Sequence, residues 1–466
     1  MLLPGITGSV LSRDGRDVWA LSGGAALRAI LSLGRSVTGL QLEDDPVDAD
    51  DLGDGVVATR LIPDLHLIPG LWKIDGYGTV ERRLFETFDL ERGRNYFAFP
   101  YDWRRDNRVH ARRLAREAPE WLAAWRERSG NADARLVLIG HSMGGLVARS
   151  FLEEHDGWRI TRRLVTFGTP YRGSLNALGF LVNGIKKQLG PIKLVDLTQL
   201  LRSFTSVYQL LPIFACLDSG DGGLAHLVDS APVGDVDWAK VGQAEQFHRA
   251  IESHVDRHLR DQGYLDERYR IHPVVGIKQT TSLSARWSDG ELELLTTYDG
   301  EDLGGDGTVP RPSATPIELS DQGVEVYAAD RHASLQNADA VLVHLEGVLR
   351  DRPIAGFRDR PIQLTVDLDD FYAPDEPVVV HVRTDHRDAD LTIALTDVER
   401  GEVVRTAALR ADPEITTVEL PPLVTGTYRI TVDGTAASGS ATTPVPPVED
   451  VFVVFGDEDE AIAATP

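Results

Sequence analysis

Cysteine is almost absent from this chain. Cys216 is the single one, so no internal disulfide can form and the small disulfide-stapled folds are excluded. A reducing compartment fits, and a cytoplasmic protein is expected, with secretion left open because secreted enzymes need not contain disulfides. Long apolar runs are also absent. No stretch reaches the roughly 18 apolar residues of a transmembrane helix, and stable membrane insertion is not expected. The N-terminus shows neither the basic region nor the apolar core of a signal peptide. Basic residues are in deficit: 48 Lys plus Arg stand against 72 Asp plus Glu, a net charge of −24, so nucleic acid is not expected as a partner. What remains, at 42% hydrophobic and 26% charged over 466 residues, is a globular protein long enough for two domains.

One segment carries the most information. Gly140-His141-Ser142-Met143-Gly144 follows the apolar run Arg135-Leu136-Val137-Leu138-Ile139 and precedes the helix-compatible Gly144-Gly145-Leu146-Val147-Ala148-Arg149. This is G-x-S-x-G between a strand and a helix. A sharp elbow there leaves no room for β-carbons beside the serine and lifts its hydroxyl above the sheet edge. The amides at the start of the helix then face any negative charge that develops. An ordinary βα turn is the alternative reading.

Residues 1 to about 355 alternate strand-like and helix-like segments, which predicts an α/β fold with a mostly parallel sheet. Strand character is read at the end of Phe97-Ala98-Phe99-Pro100-Tyr101-Asp102 and at 135–139, 164–167, 274–277 and 324–327, with a helix over 108–128. Met1-Leu2-Leu3-Pro4-Gly5 reads as the end of a strand entering a glycine-rich loop; either this strand is very short or the natural chain starts upstream. Residues 171–262 interrupt the rhythm with Leu-, Ile- and Phe-rich segments, placed to cap a pocket; extra core helix is the alternative. Beyond Arg360 seven short β-rich runs separated by turn signals predict a small all-β, immunoglobulin-like sandwich over 361–456, with 434–447 as a long loop. An acidic tail follows over 457–466.

A serine nucleophile needs a base, and the base an orienting carboxylate, in the order Ser, acid, His. His332 lies on a loop after the strand ending at Tyr327, at the same sheet edge as Ser142. His141 should point away from the nucleophile, and His272 precedes a strand and falls at the opposite edge. For the acid, Gly304-Gly305-Asp306-Gly307 holds one carboxylate in a tight loop after the strand-like 292–297. A calcium loop lacks its repeating ligands there, and Asp299, Asp302 and Asp330 are rivals to Asp306. The oxyanion hole is expected from the backbone amides of Met143 and Ile6. Cys216 has no histidine at motif spacing and reads as a buried thiol rather than a nucleophile.

Leu3-Pro4-Gly5-Ile6-Thr7-Gly8-Ser9, Pro100-Tyr101-Asp102-Trp103-Arg104, Gly140-His141-Ser142-Met143-Gly144-Gly145, Gly168-Thr169-Pro170, Gly305-Asp306-Gly307-Thr308-Val309 and His332, in this order, resemble the lecithin:cholesterol acyltransferase and lysosomal phospholipase A2 family. Ser206-Val207-Tyr208-Gln209-Leu210-Leu211-Pro212 is similar to a cap segment of that family. The resemblance spans about residues 1–350 and implies an α/β-hydrolase fold with a helical cap. It also implies Ser142 as nucleophile, Asp306 as acid, His332 as base, and Ile6 and Met143 as oxyanion donors. Asp102 and Arg104 read as a scaffold ion pair.

The expected chemistry is acyl-ester cleavage through an acyl-enzyme, with Ile6, Leu210, Leu211 and Phe214 contacting the acyl group and no metal or organic cofactor. Lipid-type esters are the expected substrates. Transfer to an alcohol acceptor is one alternative to hydrolysis, and a non-catalytic binding scaffold is another. The sandwich is expected to be accessory, packed on the hydrolase or offering an edge to a protein or carbohydrate. Residues 44–51 are acidic where the family's animal enzymes carry an apolar membrane-binding loop, leaving Trp72 as the apolar anchor.

Overall fold

In the computed structural model the described residues are 1–19, 39–63, 66–68, 72–184, 188–189, 192–193, 197–218, 220, 223–351, 362, 364–411, 413–438 and 441–455. The expected acidic tail and the Trp72 side chain lie outside what is described. Five parallel strands form the central sheet in chain order: β1 (Leu2–Leu3), β2 (Leu136–His141), β3 (Thr161–Phe167), β4 (Arg270–Gly276) and β5 (Val326–Ala328). Because all run the same way, every C-terminal end falls on one edge.

The strands are apolar on both faces, as a covered parallel sheet requires. Leu138 and Leu164 enter one core with Leu146, Val147 and Phe151, whereas Ile139, Val165 and Val274 enter a second core with Val341, Leu342 and Leu345. Helix α1 (Asn107–Ser129) starts where the Asp106 carboxylate accepts the Arg108 amide and stops at Gly130, whose φ is 68°. Helix α2 (Met143–Glu154) is buried from Met143 through Glu153, packed between α1 and α3 (Trp238–His258). Helix α4 (Asp339–Leu349) follows β5.

Several expectations are corrected. Phe97-Ala98-Phe99 forms no regular strand; it adds a single bridge, Leu2 to Ala98, outside β1. His272 lies within β4, opposite Val165, rather than ahead of the strand. The 171–262 insertion is not purely helical, because Leu217–Asp218 pairs in parallel with Ser284–Ser288 of a hairpin that leaves the sheet after β4. Its final part is core, with α3 packed on α2. The acidic stretch near residue 50 does more than face water. Asp45, 4% exposed, pairs with Arg105 at 2.9 Å, while Asp54 joins Asp102 on the fully buried Arg104. Removing the Asp45 carboxylate would leave the buried Arg105 charge facing backbone carbonyls alone among the described residues, which is costly in a low-dielectric interior. The segment is a strap over the start of α1.

The C-terminal region is all β. A three-stranded sheet contains β6 (Leu364–Leu368), β8 (Val378–Thr384) and β11 (Thr416–Leu420). A five-stranded sheet contains β7 (Phe371–Tyr372), β9 (Ala389–Asp397), β10 (Glu402–Ala411), β12 (Gly426–Ser438) and β13 (Ala441–Val454). Val366 and Val380 from one sheet meet Ile393, Val432 and Phe452 from the other in a shared core. The loop expected at 434–447 is instead a hairpin arm, paired out to Ser438 and Ala441. Pro444, Pro446 and Pro447 carry the signature of a loop in the sequence. They are tolerated because, among the described residues, that stretch of β13 pairs with β12 alone and its other edge needs no amide donors.

Candidate active site

Ser142 sits between β2 and α2 with φ 50° and ψ −123°. A non-glycine residue there costs about 1–3 kcal/mol, sustained only because the surroundings fix it. Its amide donates to Phe167 O at 2.8 Å and its carbonyl accepts from Thr169 Oγ1 at 2.9 Å. The glycines are required by contact. A β-carbon on Gly140 would lie 2.7 Å from Gly145 N, one on Gly144 2.5 Å from Leu3 O, and one on Gly145 2.0 Å from Thr169 Oγ1. The elbow is therefore clamped by β1 on one side and by the Gly168-Thr169 turn on the other.

Ser142, Asp306 and His332 come together. His332 Nε2 stands 2.9 Å from Ser142 Oγ, and His332 Nδ1 stands 2.7 Å from Asp306 Oδ2. Asp306 Oδ1 accepts the amides of Thr308 at 2.9 Å and Val309 at 2.7 Å. A carboxylate held this way stays an acceptor, so Nδ1–H donates to it and Nε2 is left to take the serine proton. Asp306 and His332 are also joined through the backbone, His332 N to Asp306 O at 2.9 Å. All three side chains are nearly buried, which strengthens each interaction by excluding water. This is the geometry of a Ser-His-Asp triad, the arrangement a serine hydrolase or acyltransferase mechanism requires. The binding-scaffold alternative has no use for such a relay.

Asp306 reaches its place by a route the sequence did not reveal. Strand 291–295 is not in the central sheet; it closes the side hairpin. The chain then returns so that Asp306 bridges Gln279, just past the end of β4. Two further glycines make room for this. A β-carbon on Gly168, at φ 54°, would fall 2.7 Å from Asp306 Oδ2, and one on Gly276 2.3 Å from Asp306 Cβ. Of the rival carboxylates, Asp299 and Asp302 are exposed, and among the described residues the His332 ring bonds to Asp306 and Ser142 rather than to them or to Asp330.

Ile6 follows β1 beside the elbow; a β-carbon on Gly5 would lie 3.0 Å from Ser142 Cβ. Among the described residues neither the Ile6 nor the Met143 amide donates to a protein acceptor. Met143 is the first residue of α2, where the helix leaves its amides free.

Tyr77 escaped the sequence reading. It accepts the Gly5 amide at 2.7 Å and lies 2.9 Å from His141 Nδ1. Its one hydrogen therefore goes to Nδ1, and His141 Nε2–H donates to His332 O at 3.1 Å. Burial, reinforced by neighbouring His332, lowers the His141 pKa to about 3 and keeps it neutral. The chain Gly5–Tyr77–His141–His332 thus ties the Ile6 loop to the base loop behind the nucleophile. No local pattern marks Tyr77; only the adjacency of His141 to Ser142 hinted at it.

The chamber over Ser142 is walled by Gly5, Ile6, Pro170, Ala177, Phe180 and Leu210. Leu211 lines a separate hollow with His226 and Val241, and Phe214 a third with Tyr298 and Pro310. Ser174 Oγ donates to Thr308 O at 2.5 Å, joining the start of the cap to the acid loop. Cys216 is fully buried and its thiol is pushed up to about 12 by that burial, which leaves it inert as a nucleophile. Among the described residues there is no group of three or more His, Cys, Asp or Glu able to hold a metal. Nor, among the described residues, is any helix long and apolar enough to cross a membrane.

Residues 74–246 match the family described as lecithin:cholesterol acyltransferase, a span that includes Ser142 and stops short of Asp306 and His332. An uncharacterized protein of Saccharomyces cerevisiae is 28% identical over 140 residues, covering 30% of this chain and 19% of its own length. The chain thus spans about a fifth of the curated relative it matches. Among solved structures, the mature form of lipase BlEst2 from Bacillus licheniformis is 16% identical, with TM-score 0.31, over 55% of this chain and 78% of that one. Phospholipase PlaB from Legionella pneumophila is 12% identical, with TM-score 0.27, over 81% and 88%.

Proposed function

We propose that this enzyme hydrolyses acyl esters of the lipid type through an acyl-enzyme on Ser142. The observation that carries the proposal is the relay from Asp306 Oδ2 through His332 to Ser142 Oγ. His332 takes the serine proton as Oγ attacks the ester carbonyl. The Ile6 and Met143 amides receive the developing oxyanion. His332 then returns the proton to the departing alcohol, and water repeats the sequence on the acyl-enzyme. An apolar wall of Ile6, Ala177, Phe180 and Leu210 suits a hydrocarbon chain, and the match to the lecithin:cholesterol acyltransferase family supports a lipid-type donor. That family likeness also favours a second reading, in which an alcohol replaces water as acceptor.

The catalytic part in this proposal is 1–355, with the cap at about 171–262, and residues 361–456 form an accessory immunoglobulin-like sandwich. A cytoplasmic location is part of the same proposal.

A series of p-nitrophenyl esters tests the substrate class. Rates should rise from acetate toward octanoate, since each buried CH₂ contributes about 0.8 kcal/mol. Phe180→Ala should shift the optimum to longer chains. A strong preference for acetate would remove lipid as the substrate class. Product analysis with added long-chain alcohol separates the two acceptors, because ester exceeding free acid would replace hydrolysis by transfer.

A further inference from the structure

The loop carrying His332 is held from outside the α/β core. Arg331, its immediate neighbour, extends the other way into the C-terminal sheets. Its guanidinium meets Asp450 Oδ2 on β13 at 2.8 Å, donates to Val366 O on β6 at 2.5 Å, and reaches Asp367 Oδ1 at 3.2 Å. Asp450 is 1% exposed and Arg331 16%, so this is a largely desolvated pair with a planar donor shared among three acceptors.

The other flank of His332 is held as well. Ala333 O accepts the Asp75 amide at 3.0 Å, and the Asp75 carboxylate is paired with Arg429 of β12. A third contact reaches the acid. Thr365 Oγ1 of β6 donates to Lys278 O at 2.7 Å, and the next residue, Gln279, donates its amide to Gly305 O at 3.0 Å and its side chain to Ala329 O at 2.6 Å. The C-terminal sheets therefore touch the residue before His332, the partner of the residue after it, and the segment beside Asp306.

We propose that the C-terminal β-region is a positioning element for the triad, and that the Arg331–Asp450 pair sets His332 against Ser142. The proposal rests on the triad reading above. Proton transfer tolerates little displacement, and a shift of about 1 Å in a supporting shell can cost about 100-fold in rate. Arg331 and Asp450 are positioning residues: neither reaches the chamber, and both act through the backbone of the His332 loop. Turnover of a small soluble ester should then depend on the C-terminal sheets, although such a substrate needs no recognition surface.

The test uses the full chain carrying Asp450→Asn, Asp450→Glu or Arg331→Lys, with p-nitrophenyl butyrate as substrate. Steady-state kcat and KM are measured beside Tm and the rate of inactivation by a fluorophosphonate, which also needs His332 as base. Asp450→Asn should lower kcat and the inactivation rate about 10- to 100-fold with KM nearly unchanged and the protein folded at assay temperature. Asp450→Glu, which restores the charge, should recover much of the loss. Arg331→Lys, which keeps the cation but loses the fork, should fall as Asp450→Asn does and decides the matter if the latter does not fold. Wild-type kcat in the folded variants would overturn the proposal, as would losses that follow only the folded fraction. Absence of Ser142-dependent turnover in the unmodified enzyme would instead overturn the triad reading beneath it.

Discussion

Replacing Ser142 with alanine should lower kcat on a p-nitrophenyl ester by about 10⁴- to 10⁶-fold, the range seen when a triad nucleophile is removed. The fold should survive. Among the described residues the hydroxyl is bonded only within the triad, while the backbone bonds to Phe167 O and Thr169 Oγ1 remain. A change of 1 kcal/mol moves Tm by about 2–4 °C in a domain of a few hundred residues, so Tm should stay within about 4 °C. Steady-state kinetics beside a melting curve check both halves. Near wild-type turnover in the folded variant would remove Ser142 from the mechanism.

Asp306→Asn should cost about 10⁴-fold in kcat, close to 5.5 kcal/mol at 1.36 kcal/mol per decade. The amide oxygen can still accept from Thr308 and Val309, so the loop keeps its shape. The amide nitrogen then faces His332 Nδ1 and donates to it. That pins the imidazole proton on Nε2, where it blocks acceptance from Ser142. KM should hardly move, because Asp306 does not line the chamber. A loss below about tenfold, measured on folded protein, would show that Asp306 does not set the tautomer.

The nucleophile was legible because its geometry is local. Gly140, Gly144 and Gly145 are dictated by clashes with Gly145 N, Leu3 O and Thr169 Oγ1, so a few adjacent residues record the whole elbow. Asp306 was legible for its glycines but not for its route. The strand before it in sequence joins a side hairpin, and its spatial neighbour is the end of β4. Periodicity cannot say which sheet a strand joins. Likewise Leu211 and Phe214 share the apolar pattern of Leu210, yet face other hollows.

What the sequence hid most completely were the long-range polar contacts. Tyr77 to His141 and Arg331 to Asp450 join segments far apart in the chain, and no spacing rule links them. The seven β-runs were legible from their turns, whereas the grip of those sheets on the His332 loop was not. The reach of β12 and β13 was also concealed, because Pro444, Pro446 and Pro447 read as loop until their unpaired edge is seen.

Activation of Ser142 by His332 can be read by covalent labelling, without any choice of ester substrate. Native protein treated with a fluorophosphonate and digested should yield one modified peptide, bearing the adduct on Ser142. Labelling should vanish in Ser142→Ala and become far slower in His332→Ala. No adduct on Ser142 in folded protein, or an unchanged labelling rate without His332, would contradict the account.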